Sequence, residues 1–121
     1  MPKSFRELVT EAKSQIREIT PEEAEQLRGA GEDVLIIDVR EKEDYESGHL
    51  PDAVSVPRGL LELNIDDHTT EEDRPIVLYC GGGSRSALAA RSLQEMGYRN
   101  VKSLTGGFRG WKESGREIEE G

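Results

Sequence analysis

Residues 76–93 read I-V-L-Y-C-G-G-G-S-R-S-A-L-A-A-R-S-L, and this stretch decides the fold. Ile76, Val77, Leu78 and Tyr79 form a short apolar run of the kind that makes a buried strand. Ala87, Leu88, Ala89, Ala90 and Leu93 then carry a helix-forming pattern. Between them sits the one cysteine of the chain, Cys80, followed by three glycines, a serine and an arginine. Strand, cysteine, glycine-rich turn and helix place a thiol beside a concave ring of backbone N–H groups. Such a ring at a helix N-terminus attracts anions. It also favours thiolate over thiol, which lowers the pKa of Cys80. Arg85 adds a fixed positive charge. The construction suits a sulfur nucleophile that handles small anions.

The remainder of the chain is consistent with one domain. At 121 residues it is long enough for a core without disulfides or metals. A single cysteine makes no intramolecular disulfide, which fits a reducing compartment and leaves the thiol free. The start, Met1-Pro2-Lys3-Ser4, lacks the apolar core of a signal peptide, and no apolar run reaches membrane-spanning length. A cytoplasmic location with no membrane partner is expected. The formal net charge of −9 argues against a nucleic-acid partner. It also repels anions at long range, so arginines near the pocket must offset the field locally. The acidic runs at Asp66–Asp73 and Glu113–Glu120 read as solvated loop and tail.

Working outward, Ser4 with Glu7 has capping-box spacing, and Phe5, Leu8, Val9, Ala12 and Ile16 recur at helical intervals. This predicts an amphipathic helix over Phe5–Arg17, lying against the domain or, alternatively, forming a dimer contact. Thr20-Pro21-Glu22-Glu23 starts a second helix, with Thr20 as cap and Pro21 at the first position; Gly29 to Asp33 ends it. Val34–Val39, almost all apolar and β-branched, reads as a strand buried on both faces. A brief helical turn at Glu43–Glu46, a short strand at Val54–Val56 and a short helix at Arg58–Leu63 follow. Residues 64–74 read as a mobile polar loop. Ser86–Met96 is expected to be helical, Val101–Leu104 a strand, and Phe108–Glu113 a last helix before a frayed tail. Strands alternating with helices give an α/β fold with a mainly parallel central sheet of about five strands flanked by helices, plus an extra N-terminal helix. Ligands of such sheets bind at the strands' carboxyl ends, where Cys80 and Arg40 both fall. The expected organisation is a helical extension over 1–18, a domain over 19–115 and a flexible tail over 116–121.

Over Ile19–Gly115 the chain resembles a rhodanese-like domain, the single-domain thiosulfate sulfurtransferase family. The resemblance rests on five ordered motifs: I-I-D-V-R-E at Ile36–Glu41, Y-E-S-G-H-L-P-D-A at Tyr45–Ala53, V-P-R-G-L at Val56–Leu60, C-G-G-G-S-R-S at Cys80–Ser86 and L-T-G-G-F-R-G-W at Leu104–Trp111. Two positions depart from the family pattern. Asp52 stands where a glycine is usual, and Gly81 replaces the charged or bulky residue that often tunes substrate choice.

The resemblance implies sulfur transfer by double displacement with Cys80 as nucleophile. Its persulfide would be held by the N–H groups of Gly81, Gly82, Gly83, Ser84, Arg85 and Ser86. The implied substrates are a small sulfur-containing anion and a thiol acceptor, with a sulfur-relay protein as an alternative client. No metal and no organic cofactor are implied, and the domain is expected as monomer or homodimer. An environment-activated nucleophile needs no adjacent base. His49 therefore reads as a brace of its turn, and His68 as surface. Asp38 is read as bracing a turn and Arg40 as pairing with a carboxylate such as Glu46. Arg58 is the candidate for guiding a dianion, or else a solvated arginine. Related phosphatases and arsenate reductases space cysteine and arginine by five residues, whereas Gly81, Gly82, Gly83 and Ser84 alone separate Cys80 from Arg85. Non-catalytic binding modules of the family commonly lack the cysteine, which this chain keeps.

Overall fold

The mainly apolar runs Leu35–Asp38 and Ile76–Tyr79 are buried along their whole length as interior strands of one parallel sheet. The computed structural model describes residues 1–31 and 33–121. Its strands are β1 (Arg17–Ile19), β2 (Leu35–Asp38), β3 (Val54–Ser55), β4 (Ile76–Tyr79) and β5 (Val101–Leu104). They pair in the order β1-β5-β4-β2-β3, all parallel. Ile36 lies opposite Val77, and Val77 opposite Lys102, so β4 is flanked on both edges and wholly buried.

Helices cover both faces, as a parallel sheet requires. The helices are α1 (Phe5–Gln15), α2 (Pro21–Gly29), α3 (Lys42–Ser47), α4 (Leu61–Asn64), α5 (Ser84–Glu95) and α6 (Gly107–Glu113). Alternate strand residues point to opposite sides. Leu35, Ile37, Ile76, Leu78 and Val101 pack with Ala89, Ala90 and Leu93 of α5 and with Leu61 of α4. Ile36, Val77, Tyr79 and Leu104 pack with Ala24 of α2 and Trp111 of α6. From β2 the chain turns toward one face and from β4 toward the other. The crevice left at their carboxyl ends is the place where such sheets bind ligands.

Both capping boxes form. Ser4 Oγ accepts from Glu7 N–H while Glu7 accepts from Ser4 N–H, and Thr20 and Glu23 exchange the same two bonds. The first helix ends at Gln15, earlier than its periodicity suggests. Arg17 and Glu18, expected within the helical extension, instead pair with β5 as the sheet's edge strand. α1 buries Val9 and Ala12 and packs along α5, where Gln94 donates to the Gln15 carbonyl. The expected end of the second helix, Gly29 to Asp33, includes Glu32, which lies outside the described residues; α2 itself ends at Gly29.

Two segments expected to be loose are tied down. In residues 64–74, Ile65 is fully buried, the Tyr98 hydroxyl donates to the Thr69 carbonyl at 2.8 Å, and Arg74 donates to the Asp33 carbonyl at 2.9 Å. In the tail, Glu119 and His49 exchange two backbone hydrogen bonds, and Trp111 Nε1 donates to the Glu117 carbonyl at 2.8 Å. Charge in the sequence concealed these anchors, because each bond is accepted by a backbone carbonyl, a group that every residue carries.

Candidate active site

Cys80 follows β4 directly and is 1% exposed. The chain then turns through Gly81 and Gly82 to Gly83, whose φ of 106° is left-handed backbone that a side chain would strain. That residue caps α5, which begins at Ser84; Ser84 and Arg85 are therefore already helical, earlier than expected. The turn aims N–H groups at sulfur. Gly83 N–H donates to Cys80 Sγ at 3.1 Å and Ser86 N–H at 3.4 Å. Ser86 Oγ lies 3.5 Å from Sγ, close enough to accept from the thiol or donate to the thiolate.

Two opposing effects set the charge state of Cys80. Burial pushes the thiol pKa up, but the Ser86 hydroxyl and the N–H groups of Ser86, Gly83 and Gly82 outweigh it, and the pKa falls below its ordinary value. Hydrogen bonds at a helix N-terminus therefore favour the thiolate over the thiol.

A residue the sequence reading passed over supports this arrangement. Ser103 of β5 is fully buried, and its Oγ lies 2.8 Å from Ser86 Oγ. When the Ser86 hydroxyl proton turns to the thiolate, Ser103 is the donor that completes the chain Ser103–Ser86–Cys80. Nothing local marks it: a serine in V-K-S-L looks like an ordinary strand residue.

The other expected site residues fall into two groups. Asp38 and Arg40 form a buried pair, with Arg40 Nη2 donating to Asp38 Oδ2 at 2.8 Å and to the Gly48 carbonyl at 2.7 Å. Arg40 therefore pairs with Asp38 and not with Glu46. Its guanidinium also sits 4.3 Å from the Phe108 ring centroid, so it holds the crevice wall together and is spent as a charge. His49 Nδ1 bonds the Tyr45 carbonyl at 2.8 Å while the two rings stack 3.8 Å apart, bracing the turn. Asp52, at the position of the usual glycine, adopts φ 69°, a conformation aspartate tolerates better than most residues. Arg58 does not stand free to meet a dianion. Its Nη1 contacts both carboxylate oxygens of Glu62, at 2.8 and 3.0 Å, and it lines a groove of about 750 Å³ between α1 and α5. That pairing was readable as an i,i+4 spacing.

Arg85 and a second arginine, Arg109 of α6, approach the loop itself. A Cβ built on Gly81 would lie 3.8 Å from Arg85 Nη2, and one on Gly82 would lie 3.5 Å from Arg109 Nη1. Among the described residues, no cluster of three or more His, Cys, Asp or Glu is placed to hold a metal ion, and no helix is long and apolar enough to cross a membrane.

A family model for the rhodanese-like domain matches residues 20–114, which span β2 to β5, α2 to α6 and the cysteine loop. The chain belongs to the rhodanese-like family. A protein of Allochromatium vinosum named Sulfurtransferase is 34% identical over 103 residues, covering 85% of this chain and 94% of its own. A thiosulfate sulfurtransferase of Pseudomonas syringae is 33% identical over 99 residues, or 82% of this chain and 90% of that one. Among solved structures, a Rhodopseudomonas palustris protein of unknown function, described as a "Possible Tyrosine Phosphatase", superposes with a TM-score of 0.88 at 37% identity. That match covers 98% of this chain and 96% of the other.

Proposed function

We propose that this rhodanese-like chain is a sulfurtransferase that takes sulfane sulfur from thiosulfate or a persulfide donor and passes it to cyanide or a thiol. The observation that carries the reading is the set of donors converging on Cys80 Sγ: two N–H groups and one hydroxyl, at the N-terminus of a twelve-residue helix. In the first step the Cys80 thiolate attacks the outer sulfur of thiosulfate. A new S–S bond forms to Cys80, the donor's S–S bond breaks, and its electron pair leaves with sulfite. The product is a Cys80 persulfide anion, whose charge sits on the terminal sulfur. In the second step cyanide or a thiolate takes that sulfur, and the pair of the Cys80 S–S bond returns to Cys80 as thiolate. Negative charge stays on sulfur throughout, so preorganised N–H donors serve both steps without a proton transfer.

The names of the two relatives support sulfur transfer, and the second supports thiosulfate as donor. A persulfide carrier delivering to a protein partner uses the same first step and differs only in its acceptor. The description of the R. palustris neighbour favours a rival, phosphate-ester hydrolysis. Against it, four residues separate Cys80 from Arg85, a tighter ring than related phosphatases use.

The test is intact-protein mass after incubation with thiosulfate, followed by a cyanide chase. One added sulfur atom, lost on the chase and absent in Cys80→Ser, is expected. No added sulfur from either thiosulfate or a low-molecular-weight persulfide, together with hydrolysis of p-nitrophenyl phosphate, would transfer the site to the phosphatase reading.

A further inference from the structure

Attack of a thiolate on thiosulfate gathers three negative charges in one crevice of a chain whose formal net charge is −9. N–H groups at Sγ meet the reacting sulfur, but the oxyanion end of the donor lies farther out and needs its own cations. Two of the four arginines near the cysteine crevice are already neutralised. Arg40 is paired with Asp38 and Arg58 with Glu62. Arg85 and Arg109 differ. Both are exposed, and among the described residues no hydrogen bond or ion pair engages either guanidinium.

Their placement is also fixed. The N–H groups of Phe108 and Arg109 donate to the carbonyls of Cys80 and Gly81 at 2.8 and 3.1 Å, which locks the first turn of α6 to the cysteine loop. Arg109 therefore leaves the backbone at a point held against the loop, and its guanidinium rests on Gly82. Arg85 leaves from the first turn of α5 and rests on Gly81. The two glycines after the nucleophile thus carry one unpaired cation each, in the space where larger side chains would stand.

We propose that Arg109, with Arg85, forms an anion site at the rim of the cradle that binds the oxyanion end of a dianionic sulfur donor. For the identity of the donor this rests on the sulfurtransferase reading; for the existence of the anion site it does not. Arg109 is a substrate-binding residue in this scheme.

Because the chain has one cysteine, alkylation reports on Cys80 alone. Iodoacetate and iodoacetamide react by the same displacement and differ in charge. The ratio of their rate constants therefore reads the local potential, with thiolate fraction and access divided out. Arg109→Gln is expected to lower the iodoacetate-to-iodoacetamide ratio about three- to tenfold at low salt. Arg109→Lys should restore most of it, and the difference between Gln and the unmodified chain should shrink as salt is raised. In steady-state transfer, Arg109→Gln should raise the KM for thiosulfate. A ratio in Arg109→Gln equal to that of the unmodified chain, with thiosulfate turnover intact, overturns the anion site and leaves the sulfurtransferase reading standing. A lowered ratio in a chain that accepts no sulfur from thiosulfate upholds the site and rejects the donor. The salt dependence of the unmodified chain is a further arm: a ratio insensitive to salt overturns the proposal without any variant.

Discussion

Two glycine turns lie side by side at the carboxyl ends of β4 and β5, and they do opposite work. The first, Gly81-Gly82-Gly83, points N–H groups inward at Cys80 Sγ. The second, Gly106-Gly107, points its following N–H groups outward, into the carbonyls of Cys80 and Gly81. One turn is a receptor for negative charge, and the other is a clamp that removes the oxygens which would repel that charge. A loop with its carbonyls tied back presents a nearly pure donor surface. The difference teaches that the donor surface around Cys80 is shaped by two turns from two strands, though the N–H groups that reach Sγ follow one of them.

The sharpest way to break the comparison is to enlarge the clamp. Gly107 has φ 55°, and a Cβ there would fall 2.8 Å from the carbonyl carbon and oxygen of Gly81 and closer still to the Cys80 carbonyl oxygen. These are backbone atoms with no rotamer to escape through. Gly107→Ala is expected to cost roughly 2–5 kcal/mol, from left-handed strain plus overpacking. Denaturant melts would measure the loss. The surviving folded fraction should also alkylate more slowly at Cys80, because displaced carbonyls no longer face away. A stability within about 0.5 kcal/mol of the unmodified chain would show that the turns are not locked together.

The receptor turn was legible from sequence and the clamp was not, for a physical reason. Ile76–Tyr79, Cys80, the glycines and the α5 pattern are contiguous, so their periodicity and turn chemistry name the site directly. The capping residues Ser4 and Thr20 are legible on the same ground, since each acts within three residues. Ser103 reaches Ser86, and Arg109 the cysteine loop, through the pairing of β4 with β5, a contact between segments more than twenty residues apart. Neither carries a local signal. The pinned stretch 64–74 was hidden differently: its acidic side chains are solvated while Ile65 and Thr69 turn inward. Arg58 pairs with Glu62 at i+4, a relation that weighing its residue type alone does not reveal.

A smaller effect sharpens the receptor. Ser86 gives Cys80 both an N–H and a hydroxyl, and only the hydroxyl is removed in Ser86→Ala. A hydrogen bond to a charged group contributes about 1.5–3 kcal/mol, and about 1.4 kcal/mol corresponds to one pKa unit. The midpoint of the pH–rate curve for iodoacetamide alkylation should therefore rise by about one to two units. The sign follows from the thiolate being the form stabilised. A lowered pKa keeps the thiolate present above it and loses it as pH falls through it, so removing a donor moves that loss to higher pH. An unmoved midpoint would mean that the backbone N–H groups alone hold the charge.

The smallest effect tests whether the neighbouring strand lends more than shape. Ser103 touches Ser86 and acts on Cys80 through it, which makes it a positioning residue. Mutual polarisation strengthens a bond in such a chain by about 10–30%, so Ser103→Ala should raise the same midpoint by about 0.1–0.6 unit. Leaving the buried Ser86 hydroxyl short of a donor should also cost about 1–3 kcal/mol in the melt. Ser103→Thr keeps a hydroxyl and should recover the midpoint even where its extra methyl group lowers stability. That separation is decisive. If alanine and threonine move stability alone and leave the alkylation midpoint in place, Ser103 fills space between β5 and α5, and the receptor turn ends at Ser86.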